Sequence, residues 1–339
     1  MKKAVIILLT FLTIISCGNS DSEDSESTAT SLNGIPVSTW MYQIQNLEET
    51  SHIDNLYNTE YDMLVVEPGF NLKDSPYDTP YLVTRLKQKP NGDRRLLLAY
   101  IDIGEAEDYR TYWHDSWEAP TANHPGSPSF LITIDPDGWS GNYPVAYWDP
   151  SWKNIWLSPA GIIRQLVNYG FDGVYLDWVE AYDDDTVRQY ADARNINPEA
   201  AMMAFIRQIR ETARQINPNF LIVVQNAPYL LDVNPGLYAS IIDAVAFEDT
   251  WFYGEGDADW NSSRAGDLHG GERHADDYST ENRINQNKKY LALGKPVFTV
   301  DYCISSQNAA SVYLAARENG FIPLVTRVSL SEITQTPPF

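Results

Sequence analysis

Nine short apolar runs alternating with helix-like segments constrain this 339-residue chain more than any other feature it carries. They cover residues 37–43, 63–67, 96–103, 145–148, 174–177, 221–226, 244–248, 297–301 and 321–326, and their β-branched and aromatic content predicts strands. Between them, Thr79-Pro80, Ser158-Pro159 and Asn197-Pro198 each set a capping side chain before a proline at the first helical position. In the longest such segment Met202, Ile206, Ile209, Ala213 and Ile216 recur at spacings of four and three, which predicts a single apolar stripe packed on a core. Alternation over about 300 residues leaves a closed (β/α)8 barrel or an open doubly wound sheet. Neither a Gly-x-Gly-x-x-Gly turn nor a Gly-x-x-x-x-Gly-Lys phosphate loop is present, so nucleotide sites lack their usual signal. Polar residues instead end many different runs: Gln43, Glu67, Asp102, Asp149, Asp177, Gln225 with Asn226, Glu248 and Asp301. A ring of that kind fits the mouth of an α/β TIM barrel in one domain, with one of the nine runs an extra strand that the sequence does not single out.

The amino terminus reads differently. Lys2 and Lys3 precede an apolar run over residues 4–15, broken only by Thr10 and Thr13, and Ser16 stands before Cys17. Residues 1–16 are thus expected to be a secretory signal, too short to span a bilayer. Ile14-Ile15-Ser16-Cys17 resembles a bacterial lipobox, so Cys17 is the expected lipidated first residue of the mature chain and the lipid its link to a membrane. Residues 17–33 are an acidic tether with little apolar area to bury, expected to be disordered. An acidic stretch at that place resembles the surface-export signal of some Gram-negative lipoproteins, which predicts an outer-membrane, surface-facing location in the cell envelope. Residues 34–339 are then the barrel, expected to act as a monomer.

With Cys17 lipidated, Cys303 has no disulfide partner, and the core alone must stabilise the fold. Removing Lys2 and Lys3 takes the formal charge from -22 to -24, which argues against nucleic acid and for a cationic or neutral partner. Acidity that merely keeps a secreted protein soluble is the plainer alternative.

The most informative stretch is Gly170-Phe-Asp-Gly-Val-Tyr-Leu-Asp177-Trp-Val-Glu180, where a β-run ends in an acid followed by an aromatic. Barrel enzymes keep their chemistry at that end of a strand. Glu248 is the best partner for Asp177, because it too closes an apolar run and is followed by aromatics. Glycosidic cleavage needs two such groups, one donating a proton to the leaving oxygen while the other attacks the anomeric carbon or activates water. Asp177 takes the anionic role and Glu248 the proton-donating one, on the expectation that Phe247 and Trp251 give Glu248 apolar surroundings. A structural alternative, carboxylates that cap loops or pair with arginines, is open for either acid alone.

Sugars also need flat apolar platforms, since pyranose C–H faces pack on rings. Trp40, Tyr42, Trp148, Trp178, Trp251, Tyr253 and Tyr302 stand at or just beyond predicted strand ends, and a few of them are expected to bind. The segment Tyr100-Ile-Asp102-Ile-Gly104-Glu105-Ala-Glu107-Asp108-Tyr109-Arg110 adds a dense acidic loop. Its plain alternative is a solvated loop with Glu105 or Asp108 paired to Arg110. The long run 254–277 is expected to shape the cleft.

That loop, Tyr147-Trp148-Asp149, Gly170 to Trp178, Gln225-Asn226, Phe247-Glu248-Asp249 and Val300-Asp301-Tyr302 together resemble glycoside hydrolase family 114 over about residues 35–326. The resemblance implies a barrel with endo-α-1,4-polygalactosaminidase activity, Asp177 as nucleophile, Glu248 as acid and no metal or other cofactor. It also implies a cationic, partly deacetylated α-1,4-linked galactosamine polymer as substrate, consistent with the charge of the chain. Substrate contacts are expected from Tyr42, Asp102, Glu105, Trp148, Trp178, Gln225, Asn226, Trp251, Asp301 and Tyr302. In related sequences the position of Asp102 is more often a serine, and Trp178 also varies, so Asp102 is expected to contact a free amine or to alter subsite preference.

Two other readings remain at this point. One is a surface barrel that binds carbohydrate without turning it over. The other is a metal-dependent hydrolase using Asp183-Asp184-Asp185 or His269 and His274, whose spacings lack a metal-site pattern.

Overall fold

Eight of the nine predicted strands form one parallel sheet in the computed structural model, which describes residues 30–74, 76–270 and 279–334. They are β1 (Trp40–Gln43), β2 (Met63–Val66), β3 (Leu96–Asp102), β4 (Gly173–Asp177), β5 (Leu221–Gln225), β6 (Ala244–Glu248), β7 (Val297–Tyr302) and β8 (Ile322–Thr326). Each pairs in parallel with the next in sequence, and helices pack outside them. Apolar side chains on both faces of these strands are buried, as a sheet covered on both sides requires. The sheet curls until its first and last strands meet. There Trp40 Nε1 donates to the carbonyl of Ile322 at 3.1 Å, Gln43 Nε2 to that of Ser331 at 3.0 Å, and Ile44 N to that of Leu330 at 3.0 Å. The fold is a (β/α)8 barrel.

Run 145–148 is the one that does not join the sheet. Val145 makes an isolated antiparallel bridge to Leu131, and residues 147–149 turn into a helix, Pro150–Leu157, that Asp149 caps by accepting from Ser151 N at 2.7 Å. Asp149 therefore ends no strand. The expected helix start at Asn197-Pro198 holds: Asn197 accepts from Ala200 N at 2.6 Å, and Pro198–Arg214 follows. At Thr79-Pro80 the cap is one residue earlier, where Asp78 accepts from Tyr81 N at 2.9 Å. Ser158-Pro159 starts no helix; Ser158 closes the preceding one, and Ile162–Tyr169 begins after Gly161. Met202, Ile206, Ile209 and Ala213 are buried as the stripe requires, whereas Ile216 lies past the helix end and is 42% exposed.

Part of the expected tether is ordered. Thr30–Leu32 pairs antiparallel with Ile35–Val37 around Asn33 and Gly34, both at positive φ, as a two-residue hairpin turn demands. Residues 1–29, with Cys17, lie outside the described residues, and so does His274. Among the described residues no helix is long and apolar enough to cross a membrane.

Candidate active site

The carboxyl ends of the strands open into one cleft with a cavity volume of about 1410 Å³. Thirteen carboxylate side chains line it among the described residues, against two guanidinium groups, Arg110 and Arg283. On its floor β4 ends at Asp177 and β6 at Glu248, with β5 between them.

Both oxygens of Asp177 accept a hydrogen bond: Oδ1 from Trp178 N at 2.8 Å and Oδ2 from Tyr100 Oη at 2.6 Å. Burial pushes its pKa up, the negative charge of Glu248 pushes it further, and the two donors pull it back. Glu248 is ringed by donors. Gln225 Nε2 and Tyr302 Oη both bond its carboxylate, and Asn226 Nδ2 reaches Oε2 at 3.1 Å. Its backbone is held as well, by Asn226 Oδ1 from Glu248 N at 3.0 Å and by Arg283 on its carbonyl at 2.6 Å. The expected apolar setting for Glu248 is therefore not what the fold provides: Phe247 does line the cleft, but Trp251 does not.

A third acid, Glu180, belongs to the same floor. It sits on the single turn Val179–Tyr182 directly after β4, and Asn226 Nδ2 bridges its Oε1 at 3.3 Å to Glu248. Burial, and then the charge of Asp177, raises its pKa to about 8. The stretch from Gly170 to Glu180 contains it, yet its residue type alone gave no reason to separate it from a solvated loop acid. Three turns on the floor carry left-handed backbone at a non-glycine residue: Trp178 (φ 50°), Asn226 (φ 53°) and Asp249 (φ 57°), each following a strand end. Strain of that kind costs on the order of 1 kcal/mol or more per residue and persists where the surroundings over-determine the geometry.

The remaining predicted site residues divide. Tyr42, Asp102, Glu105, Trp178, Gln225, Asn226 and Tyr302 all line the cleft. Tyr42 lies deep, donating to Gln225 Oε1 at 3.3 Å and so reaching Glu248 through that amide. Asp102 stands in register beside Asp177 and accepts from Gly104 N at 2.9 Å and Glu105 N at 2.8 Å; burial and the neighbouring Asp177 hold its pKa high. Glu105 is buried too, its Oε2 taking a bond from Asn142 at 3.3 Å, and its pKa is likewise raised by burial and by Asp102.

Three expected contacts fall outside the lining. Trp148 lies on the turn before a helix, its ring against Tyr147 at 4.9 Å, because run 145–148 is not a barrel strand. Trp251 packs toward Phe321 at 6.5 Å. Asp301 turns its carboxylate into the protein, accepting from Trp251 N at 2.6 Å and Phe252 N at 2.9 Å, and so fixes the loop after β6. Trp40, at the start rather than the end of its strand, is core.

The acidic loop is not solvated, and its arginine does not pair with Glu105 or Asp108. Arg110 is buried between Glu107 (Nε to Oε2, 2.7 Å) and Glu67 (Nη1 to Oε1, 2.8 Å), clamping the loops after β2 and β3. Asp184 caps the helix Asp185–Asp192 through Val187 N at 2.8 Å, Asp183 pairs with Arg188 at 3.3 Å, and His269 packs on Phe252 at 5.0 Å.

A family model described as glycoside-hydrolase family GH114 matches residues 22–338 of the chain. An uncharacterised protein of Deinococcus radiodurans is 31% identical over 302 residues, covering 89% of this chain and 84% of its own length. Among solved structures, Aspergillus fumigatus Ega3 in complex with galactosamine has the same fold with a TM-score of 0.56 at 15% identity, over 90% of this chain and 98% of that one. The glycoside hydrolase domain of PelA from Pseudomonas aeruginosa aligns at a TM-score of 0.55 and 15% identity, over 88% and 97%.

Proposed function

The chain belongs to glycoside-hydrolase family GH114, and from that premise we propose that it cleaves α-1,4-linked galactosamine polymer within the chain, with retention of configuration. The observation that carries the reading is the convergence of Asp177 and Glu248, from β4 and β6, on the floor of one strongly acidic cleft.

In this mechanism a sugar lies between the two acids. Asp177, oriented by Tyr100 and Trp178 N, attacks the anomeric carbon while the C–O bond to the leaving sugar breaks; Glu248 passes its proton to that leaving oxygen. Glu248, now a carboxylate, takes a proton from water as the water oxygen displaces Asp177, which restores both groups. The charge of Glu248 raises the pKa of Asp177, as it does wherever two carboxyl groups resist simultaneous ionisation, and the first step needs one proton between the two acids. Even with Asp102, Glu105, Asp177 and Glu180 favouring the neutral form, the remaining nine lining acids outnumber the two guanidinium groups, and the field of the cleft attracts an amino sugar polymer and repels an anionic one. That Ega3 is crystallised with galactosamine supports the same substrate class.

Incubation of partly deacetylated α-1,4-galactosamine polymer with wild type should release new reducing ends, and Asp177→Asn and Glu248→Gln should each lower the rate by about 1,000-fold or more. A wild type that releases none, or an Asp177→Asn that matches it, refutes the assignment.

A further inference from the structure

Trp139 is the most exposed of the ten tryptophans, at 50%, and it faces the cleft. Half of the indole is buried against the protein, and the other half is an open apolar face on which a ligand ring can lie. It sits on Asp135-Pro-Asp-Gly-Trp139-Ser-Gly, within the long excursion after β3. Buried Asp135 accepts from Trp139 N at 2.8 Å, Asn142 N donates to the Trp139 carbonyl at 3.3 Å, and Asp108 N to that of Gly141 at 2.9 Å. Gly138 and Gly141 both take φ of +92°, which other residues rarely adopt. Asn142 also bonds Glu105, which ties the turn to the acidic wall of the floor. From the other side the loop after β6 reaches over: a methyl group added to Gly256 would lie 2.8 Å from Trp139 Cζ2. Two loops from separate strands thus hold an apolar plate on the cleft rim, above acids set deeper.

We propose that Trp139 is the platform of an additional sugar subsite, on which a pyranose ring of the polymer stacks away from the bond being cleaved. The apolar C–H face of the ring covers the indole, while its polar groups face the acidic rim. The cavity is larger than one or two sugars require, so the chain extends along it and the plate adds affinity only for substrates long enough to arrive there. This subsite rests on the galactosamine polymer reading above.

The test is calorimetric binding of α-1,4-galactosamine disaccharide and octasaccharide to the Asp177→Asn protein, with and without Trp139→Ala or Trp139→Phe. Trp139→Ala should weaken the octasaccharide about tenfold and the disaccharide less, and Trp139→Phe should restore most of the loss. An equal effect on both lengths, no effect, or no octasaccharide binding by any of the proteins overturns the platform. The proposed activity fails separately, on the absence of reducing-end release by wild type.

Discussion

Burial and the charge of Glu248 raise the pKa of Asp177, while Tyr100 Oη and Trp178 N oppose the rise. A raised value means that Asp177 is protonated, and unable to attack, at a pH where an ordinary carboxylate is already ionised. The acid limb of kcat/KM should therefore lie well above pH 4, and activity should fall as the pH drops through it. Tyr100→Phe removes a donor that favours the anion, so it should move that limb up by about half a unit to one unit; a limb that stays or moves down contradicts the role given to Tyr100. Arg110 is a different case, a charge neutralised between two buried acids. Arg110→Met leaves Glu67 and Glu107 without their cation and should cost about 3–5 kcal/mol in denaturant unfolding. The placement of Asp177 and Glu248 at strand ends was legible because each closes an apolar run, a pattern fixed by local sequence. The true partners of Arg110 were not, since Glu67 comes from another strand end that only the closed barrel brings near.

Between strands and turns, close backbone approach decides the geometry of the floor. Gly104 lies where an added methyl would be 2.2 Å from the carbonyl oxygen of Trp178, so the loop after β3 rests directly on the turn that aims Asp177. Gly104→Ala must push that turn away; kcat should fall about 100-fold, far out of proportion to a loss of roughly 1–3 kcal/mol in stability. Equal kcat in the two proteins would show that the turn does not depend on this contact. Most elements could be read from periodicity and from cap-proline pairs, yet run 145–148 and Ser158-Pro159 misled in the same way. A four-residue apolar run serves equally well as a buried turn, and a serine before proline can close one helix as readily as it opens the next. Asp149-Pro150 is the same cap-proline signal put to use, but a strand-end reading hid it.

For the molecule as a whole, buried acids couple stability to pH. Asp301 is fully buried, and burial raises its pKa to about 7 against the bonds from Trp251 N and Phe252 N. Its folded-state value exceeds the unfolded one, so its contribution is complete below about pH 4 and lost as the pH rises through about 7. The melting temperature should therefore fall between pH 5 and pH 8, with Glu180 adding to the fall near pH 8. Asp301→Asn keeps the Oδ1 acceptor without the titration and should flatten that slope by a few degrees; an unchanged slope would assign it elsewhere. The barrel itself was written in the alternation of strands and helices and in the polar strand ends. The inward turn of Asp301 was not, because the loop it fixes is set by tertiary contacts.

The central claim, two acids with distinct roles across one glycosidic bond, is tested most directly by the anomeric configuration of azide adducts formed from an aryl α-galactosaminide with a good leaving group. Asp177→Ala should yield the β-glycosyl azide, since azide enters from the face the nucleophile has left, and Glu248→Ala the α-azide, formed by way of the covalent intermediate on Asp177. The reverse assignment, one configuration from both variants, or no azide product from either would contradict it.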